Sequence, residues 1–497
     1  MNKKRKSIRI NFFYNAFYNT MKVLFPLITI PYLSRVLLAD GLGKVNYAVN
    51  IVTWFLLFAS LGIPRYGVRE IAKHRESKLN TDTVFSEIFT INLIGTILCI
   101  AVYFIIIFNV PSFKNKLLLY IVVGIQLGLN IFNVDWFYQG IEEYAYITKR
   151  SLFIKVLSLI AMFTFVRSHN DYIIYAFIQS MAVAGNYIFN FFHLRMYVRI
   201  RTKNLVLKKH LLAVSILFST QLAVNIYALL DTTMLGLMCT DSIVGYYSNV
   251  HKVISTVCVL TASLGGVMLP RFVHLISSKN YNELSKLMVK AQDVIITMCL
   301  PISVGIFLVA EDTVLILFGN DFMDAVTTLK IFAPFIVLST VGNLYGTQLL
   351  MAFNKEKTLL FSVMVGAVLN LSMNYFLIKN YQHNGAALAS VITEFAVMIV
   401  QIAVVKRIFK INFHVVLWIK SGLSLLSMAI VILVLQKLLD NVLLRLVLTI
   451  VFGGMTYLAT SIILKNEGIN TVIHSFCTSS IFIYFLPFFR FVRNRSQ

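Results

Sequence analysis

The sequence predicts an all-α integral membrane protein of about fourteen transmembrane helices. Of its 497 residues, 58% are hydrophobic and 13% are charged, whereas about a quarter of the residues of a soluble domain are charged. This deficit excludes a soluble enzyme. Crossing the hydrocarbon core of a bilayer takes roughly 20 apolar residues of helix, and stretches of that length recur along the chain. The basic residues, which bring the net charge to +23, lie mostly between these stretches.

The predicted spans follow one another with short connections. The first six are 11–37, 45–62, 84–108, 117–137, 151–166 and 173–194. The next six are 211–239, 246–270, 291–318, 331–353, 358–378 and 385–405, and two more follow at 421–436 and 446–464. Pro487 and Arg490 interrupt the apolar segment 476–492. We interpret this segment as an interfacial tail, with a fifteenth span as the alternative.

The positions of Lys and Arg predict the orientation, because these residues are retained in the cytoplasm when they flank a span. With the N-terminus inside, 32 of the 44 Lys and Arg residues fall in cytoplasmic segments, eight in external loops and four within spans. This bias predicts both termini in the cytoplasm. It also explains the net charge through topology and attraction to anionic lipid headgroups, so no nucleic-acid partner is predicted. No small-residue cleavage site follows the basic start, which we therefore expect to remain in the mature chain.

A repeat relates two parts of the chain. The sequence ASLG at 59–62 recurs at 262–265, an offset of 203 residues, and Pro-Arg follows each copy. Upstream, the turn at 40–43 is echoed by the turn at 241–245. An offset that spans six helices leaves both copies in the same orientation. The sequence therefore predicts two six-helix lobes related by a parallel pseudo-two-fold axis, followed by two additional helices, with these bounds: 1–203, 204–410 and 411–497.

Three stretches resemble one family of transporters. The first is PLITIPYLSR at 26–35, followed by LGI at 61–63 and GVREIA at 67–72. The second begins with DWFYQGIE at 135–142, and the third is NGAALA at 384–389, which runs on to Glu394. Together they resemble the O-antigen or capsule repeat-unit flippases of the multidrug/oligosaccharidyl-lipid/polysaccharide exporter superfamily. The last hundred residues contain no motif of this kind.

This resemblance implies a fold, a place and a substrate. It implies fourteen helices in two lobes around a central cavity, in the bacterial plasma (inner) membrane. It also implies movement of undecaprenyl-pyrophosphate-linked oligosaccharide from the inner to the outer leaflet, in contact with membrane lipid. The polysaccharide polymerase and the chain-length machinery are the protein partners that it implies.

Moving a glycan and a pyrophosphate through hydrocarbon is prohibitively costly without a polar path. We therefore expect a cavity with a few cations for the diphosphate, and intramembrane polar residues are the candidates. Lys22 shares one helical face with Asn11, Asn15 and Asn19, and it contacts either the phosphate or a structural acidic partner. Asn225 is the repeat mate of Lys22, which places the first helix of each lobe on the cavity.

Two further cations belong to this substrate-binding set. Lys252 lies in the eighth predicted span beside His251 and is predicted to be a cavity cation, whereas His251 is better explained by packing. Arg35 lies close to the outer end of the first span. It either faces the cavity or extends to the interface, as long basic side chains do near span ends.

Three acids complete the candidates. Asp231 either pairs with Lys22 or Lys252, or binds a proton or Na⁺ for coupling. Glu394 has a coupling or gating role, or bridges helices. Asp135 lies near the inner end of the fourth span and is predicted to anchor neighbouring helices.

No motif for ATP hydrolysis, metalloprotease chemistry or serine hydrolysis is present, and the five cysteines have no metal-binding spacing. Transport is then passive or driven by an H⁺ or Na⁺ gradient, with no cofactor. An ion-coupled multidrug exporter of the same superfamily is the alternative, and its cavity would be dominated by carboxylates. A glycan polymerase is disfavoured, because it would need a large external loop and the longest here has about a dozen residues.

Overall fold

The described part of the chain is helical throughout and contains no strand. The computed structural model describes the backbone of residues 8–266, 268–410 and 414–471. Within these ranges, side chains are described except at 8–13, 15–24, 27, 220, 223–224, 227–228 and 263–266. The tail at 476–492 and Cys477 therefore lie outside the described residues. The predicted all-α class is confirmed.

Eighteen α-helices are described. The first nine are α1 (Ile8–Ser60), α2 (Ile63–His74), α3 (Lys78–Asn109), α4 (Pro111–Lys114), α5 (Leu117–Leu129), α6 (Asp135–Gly140), α7 (Tyr144–Phe165), α8 (Tyr172–Leu194) and α9 (Lys208–Met238). The others are α10 (Asp241–Gly266), α11 (Leu269–Ser277), α12 (Tyr281–Leu308), α13 (Ala310–Leu317), α14 (Ala325–Phe332), α15 (Phe335–Asn343), α16 (Glu356–Ile408), α17 (Val415–Leu438) and α18 (Val442–Ile463). Three 3₁₀ turns and one π-helical segment, Leu344–Leu350, complete the described elements.

Two of the helices are divided by a single residue. Leu38 in α1 has φ 57° and ψ −179°, and Gln382 in α16 has φ 48° and ψ −126°. These breaks fall at the predicted connections 38–44 and 379–384. The connections are shorter than the sequence predicts, because hydropathy does not detect polar residues that remain helical at the ends of a span.

Each predicted span overlaps one or more of these helices. Eight described helical segments are long and apolar enough to cross a membrane, and two shorter apolar ones accompany them. The chain is a multi-pass membrane protein. Fourteen as the number of crossings stays a prediction.

The repeat has a structural counterpart in two short helices. α2 and α11 follow the two ASLG copies, and each begins with an apolar residue, Pro and Arg. Pro suits the first turn of a helix, since its missing N–H has no intrahelical partner there. α2 buries one face, including Tyr66 and Ile71, in an aromatic-rich core with Phe85 and Trp136.

The described chain forms two compact units. The first lies within Met1–Val250, Leu317–Ala325 and Ala367–Ala389, and the second within His251–Ile316, Val326–Gly366 and Ser390–Gln497. The first unit thus joins segments from both predicted lobes. In the second, α17 and α18 pack together, and α17 packs against α12.

Candidate functional site

A buried carboxylate lies at the centre of a polar cluster in the first unit. Asp231 of α9 is 1% exposed. Its Oδ2 accepts a hydrogen bond from the Tyr247 hydroxyl at 2.5 Å, and its Oδ1 accepts one from Asn374 Nδ2 at 2.6 Å. Asn374 also donates to Asn370 Oδ1 at 3.0 Å, one turn earlier on α16. Three helices thus bring their polar side chains to one acid.

Two amide atoms of this cluster are unsatisfied within the described chain. Asn374 Oδ1 and Asn370 Nδ2 are buried and find no hydrogen-bond partner among the described residues. Buried polar groups are normally paired because desolvation is costly. Beside an intramembrane acid, the unpaired oxygen of Asn374 can contact water or a small cation, whereas the unpaired nitrogen of Asn370 can only donate, as it would to water. The coupling role of Asp231 stays a prediction, as does its pairing with Lys22 or Lys252.

A line of hydrogen bonds adjoins this cluster. Asn46 of α1 donates to Ser248 of α10 at 2.7 Å, and both side chains are buried. One turn further along α1, Asn50 donates to Thr233 at 2.7 Å, and the Trp54 indole reaches the same hydroxyl at 3.0 Å. Because these residues belong to both predicted lobes, the bonds join the two lobes within the first unit.

The predicted cations and Asn225 fall in different places. The side chain of Lys22 lies outside the described residues. Asn225 is exposed and donates to Gln221 O, 2.8 Å away on its own helix. Arg35 is also exposed, and its Nη1 donates to Pro31 O at 2.7 Å. Lys252 is partly buried on α10, in the second unit.

Glu394 belongs to a second buried polar region. It lies on α16 within the second unit and is 8% exposed. Its Oε1 and the Oε1 of Gln401, two turns later, both lie beside Gly342 of α15. The π-helical segment Leu344–Leu350 follows at once, and such segments often occur at functional sites. Gln401 Oε1 has no hydrogen-bond partner in the described chain.

Asp135 holds helices together as predicted. Its Oδ1 accepts from Arg150 Nη2 of α7 at 3.1 Å and also from the side-chain amide of Asn190 on α8. Arg150 Nε donates in turn to Asn186 Oδ1 at 3.0 Å. The carboxylate therefore links the short helix α6 to two long ones.

Sequence reasoning missed a buried cluster at the predicted cytoplasmic end. Glu87 of α3 bonds to Lys209 Nζ at 2.8 Å and to His210 Nε2 at 2.9 Å, and His210 Nδ1 lies 2.6 Å from the Tyr66 hydroxyl. Glu87 also accepts the backbone N–H of Val206 at 3.0 Å. These bonds attach the first turn of α9, and through Val206 the connection before it, to α2 and α3. An acid inside the first turns of an apolar helix was the available signal.

Residues 8–276 match the family described as polysaccharide biosynthesis protein, which is more than half of the chain. The chain belongs to this family. The apolar helices of this chain, and the absence of strands in its described residues, agree with that assignment.

Two relatives and one solved structure resemble this family member. A protein named as an O-antigen transporter, from Escherichia coli (strain K12), is 24% identical over 403 residues, which are 79% of this chain and 95% of that protein. A protein of Haloferax volcanii named as a low-salt glycan biosynthesis flippase, Agl15, is 25% identical over 167 residues, 34% of this chain and 35% of its own. The first is named as a transporter and the second as a flippase, neither as an enzyme.

The structural likeness concerns the fold. The structure of the lipid II flippase MurJ in an inward closed conformation matches with a TM-score of 0.71 and 15% identity, covering 91% of this chain and 98% of that one. The family member therefore shares the fold of a flippase along almost its whole length.

Proposed function

We propose that this protein flips undecaprenyl-pyrophosphate-linked oligosaccharide repeat units from the cytoplasmic to the outer leaflet of the bacterial plasma membrane. The units would serve O-antigen, capsule or other surface polysaccharide synthesis. The observation that carries the proposal is the match to nearly the full length of an O-antigen transporter. The flippase fold and the family membership agree with it.

The mechanism that we propose is alternating access through a central cationic cavity. Lys22, Lys252 and Arg35 would hold the diphosphate, with Asn225 bonding to polar parts of the substrate. A few fixed cations suit this task, because they offset the cost of removing a diphosphate from water. The prenyl tail can remain in lipid throughout. Both termini would lie in the cytoplasm, as the basic residues predict.

Coupling would reside at Asp231, with Glu394 in a coupling or gating role. Supporting this, Asp231 is buried among oxygen and amide groups from three helices. Binding of H⁺ or Na⁺ would neutralise the carboxylate and lower the cost of keeping it inside the membrane. An ion gradient could therefore bias the conformations between which the lobes alternate.

The first test is complementation of a bacterium that lacks its flippase and its surface polysaccharide. At matched membrane expression, wild type should restore the polymer. We expect Lys22→Ala, Lys252→Ala and Asp231→Ala to restore less than about a tenth as much, because a lost charge contact costs more than about 1.4 kcal/mol. Lys114→Ala is the matched control, since Lys114 is exposed at the end of the short helix α4.

The outcomes separate the alternatives. If wild type fails in several such hosts but confers resistance to cationic drugs, the multidrug exporter is correct. If wild type and all three variants restore the polymer equally, the flippase assignment stands and the cationic cavity and the coupling role of Asp231 are both wrong.

A further inference from the structure

The two repeat-related turns, 39–43 and 241–245, are first turns of helices. A glycine of each packs against a backbone carbonyl of the other. The first turn follows the break at Leu38 in α1, and the second begins α10 at Asp241. A methyl group on Gly43 would overlap the backbone carbonyl of Asp241, and one on Gly245 would overlap the carbonyl of Ala39. Glycine is required at both positions, since any side chain would separate the two helix starts.

Each predicted lobe also supplies a connection that binds the helix start of the other lobe. Lys116, which follows α4, forms an ion pair with Asp241 at 2.5 Å. Asp321, in the 3₁₀ turn Asn320–Phe322, accepts the backbone N–H of Ala39 at 2.7 Å. The offset of 203 residues carries Lys116 to Gly319, two residues before Asp321. The two contacts are therefore repeat-related, although one is an ion pair and the other caps a helix.

The physical reason for the cap is the break at Leu38. A helix that restarts at Ala39 has free N–H groups and a partial positive charge at its first turn. The carboxylate of Asp321, which belongs to the other predicted lobe, accepts a hydrogen bond from one of these N–H groups. This contact, together with the hydrogen bond from Ser34 to Leu317 O, attaches Leu317–Ala325 to the first unit.

The solvent exposure of these contacts decreases from the ion pair to the hydrogen bonds beside it. The side chains of Lys116 and Asp241 are 31% and 20% exposed, so water reaches the ion pair. The hydrogen bond between Asn46 and Ser248 lies one turn deeper, and these residues are 7% and 8% exposed. A contact made of backbone, glycine and hydrogen-bonding side chains can be rehydrated when it separates. It is therefore suited to opening and closing.

We infer that the turns 39–43 and 241–245, with Lys116 and Asp321, form a latch that closes the external end of the transport path. The Lys116–Asp241 ion pair is its electrostatic lock. This inference rests on the alternating access of the proposed function. It names the residues that must separate before the substrate can leave on the external side. The latch is intramolecular: each of its two halves binds the other predicted lobe of the same chain.

Thiol labelling tests the lock without any substrate. Ser248→Cys is introduced into a variant without other cysteines, and intact cells are treated with a membrane-impermeant maleimide. Labelling should be slow with the lock intact. Lys116→Glu should raise the rate about five- to tenfold, because repulsion from Asp241 replaces a solvent-exposed attraction. Asp241→Lys should do the same, and the charge swap Lys116→Asp with Asp241→Lys should return the slow rate.

Two controls make the result specific. Lys114→Glu changes an exposed charge near the lock and should leave the labelling rate unchanged. Asn115→Cys, which is exposed in the same connection, should label quickly from outside and so report the side of the membrane. Equal rates in all charge variants, or rapid labelling with the lock intact, would overturn the latch. Labelling of Asn115→Cys from the cytoplasm alone would overturn its external placement.

A cross-link tests the consequence for transport. Asn46→Cys and Ser248→Cys, combined in one cysteine-free chain, should form a disulfide with mild oxidant, abolish polymer export and regain it with reductant. Continued export by the cross-linked protein contradicts the latch. Failure of wild type to complement would count against the proposed function, whereas the labelling result would remain valid for the latch.

Discussion

Single buried polar residues account for much of the specificity of this fold. Asp231 and the partly buried Asp135 each bond to side chains from two other helices, and Glu87 bonds to two side chains at the start of α9. Such groups cost free energy in a membrane protein unless they are paired. Their partners therefore determine which helices can be neighbours, while apolar contacts alone would allow several arrangements.

The pair formed by Arg150 and Asp135 gives a prediction at this scale. Arg150→Gln should lower the free energy of unfolding by about 2–4 kcal/mol, because it leaves a partly buried carboxylate without its charged partner. The exposed neighbour Lys149 supplies the control variant Lys149→Gln. Thermal denaturation of the purified protein in detergent measures both, and equal midpoints for the two variants would contradict the anchoring role.

At the scale of elements, α17 and α18 are fixed to the second unit by polar contacts as well as by packing. Arg445 of α18 bonds to Asp312 of α13 through Nε at 2.9 Å and Nη2 at 2.5 Å. The Tyr457 hydroxyl donates to Thr297 O at 2.8 Å, and Gln436 donates to Leu308 O at 2.9 Å. These two helices, which no recognised motif covers, therefore belong to the compact second unit rather than to a separate tail.

Removing one partner of the Arg445–Asp312 pair should lower the free energy of unfolding more than removing both partners. Arg445→Leu alone leaves a buried carboxylate unpaired and should lower the free energy of unfolding by about 3 kcal/mol. Asp312→Leu combined with Arg445→Leu should recover most of that loss, since an apolar pair needs no desolvation. Lys437→Leu, at an exposed position of α17, is the control. Melting midpoints that fall further in the double variant would show that the pair contributes net stability.

At the scale of the whole molecule, the distribution of basic residues predicts the side on which each connection lies. Lys203 is exposed in the basic connection between α8 and α9, and Asn115 is exposed between α4 and α5. In intact cells, an impermeant thiol reagent should label Asn115→Cys and not Lys203→Cys, whereas both should react after the membrane is opened. Labelling of Lys203→Cys in intact cells would show that the orientation is opposite to the predicted one.

The sequence by itself determined the all-α class of the protein, and it predicted where apolar helices lie and that two parts of the chain are repeats. These depend on local properties: a span requires a fixed length of apolar residues, and a repeat is visible as recurring letters such as ASLG. It also identified Asp231 and Glu394 as intramembrane acids, because each interrupts an apolar stretch. Asp135 was predicted as an anchor for the same reason, and the structure confirms it.

Only the tertiary structure decided which polar residues meet. Asp231 and Asn374 are 143 residues apart in the chain, and Lys116 and Asp241 are 125 apart. Asn370 and Asn374 could have been noticed as a polar face on α16, but a helical face does not specify its neighbour. The echo between the turns at 40–43 and 241–245 was visible in the sequence, whereas their mutual contact was not. Pairing across such distances depends on how whole helices pack, and local pattern carries no information on that.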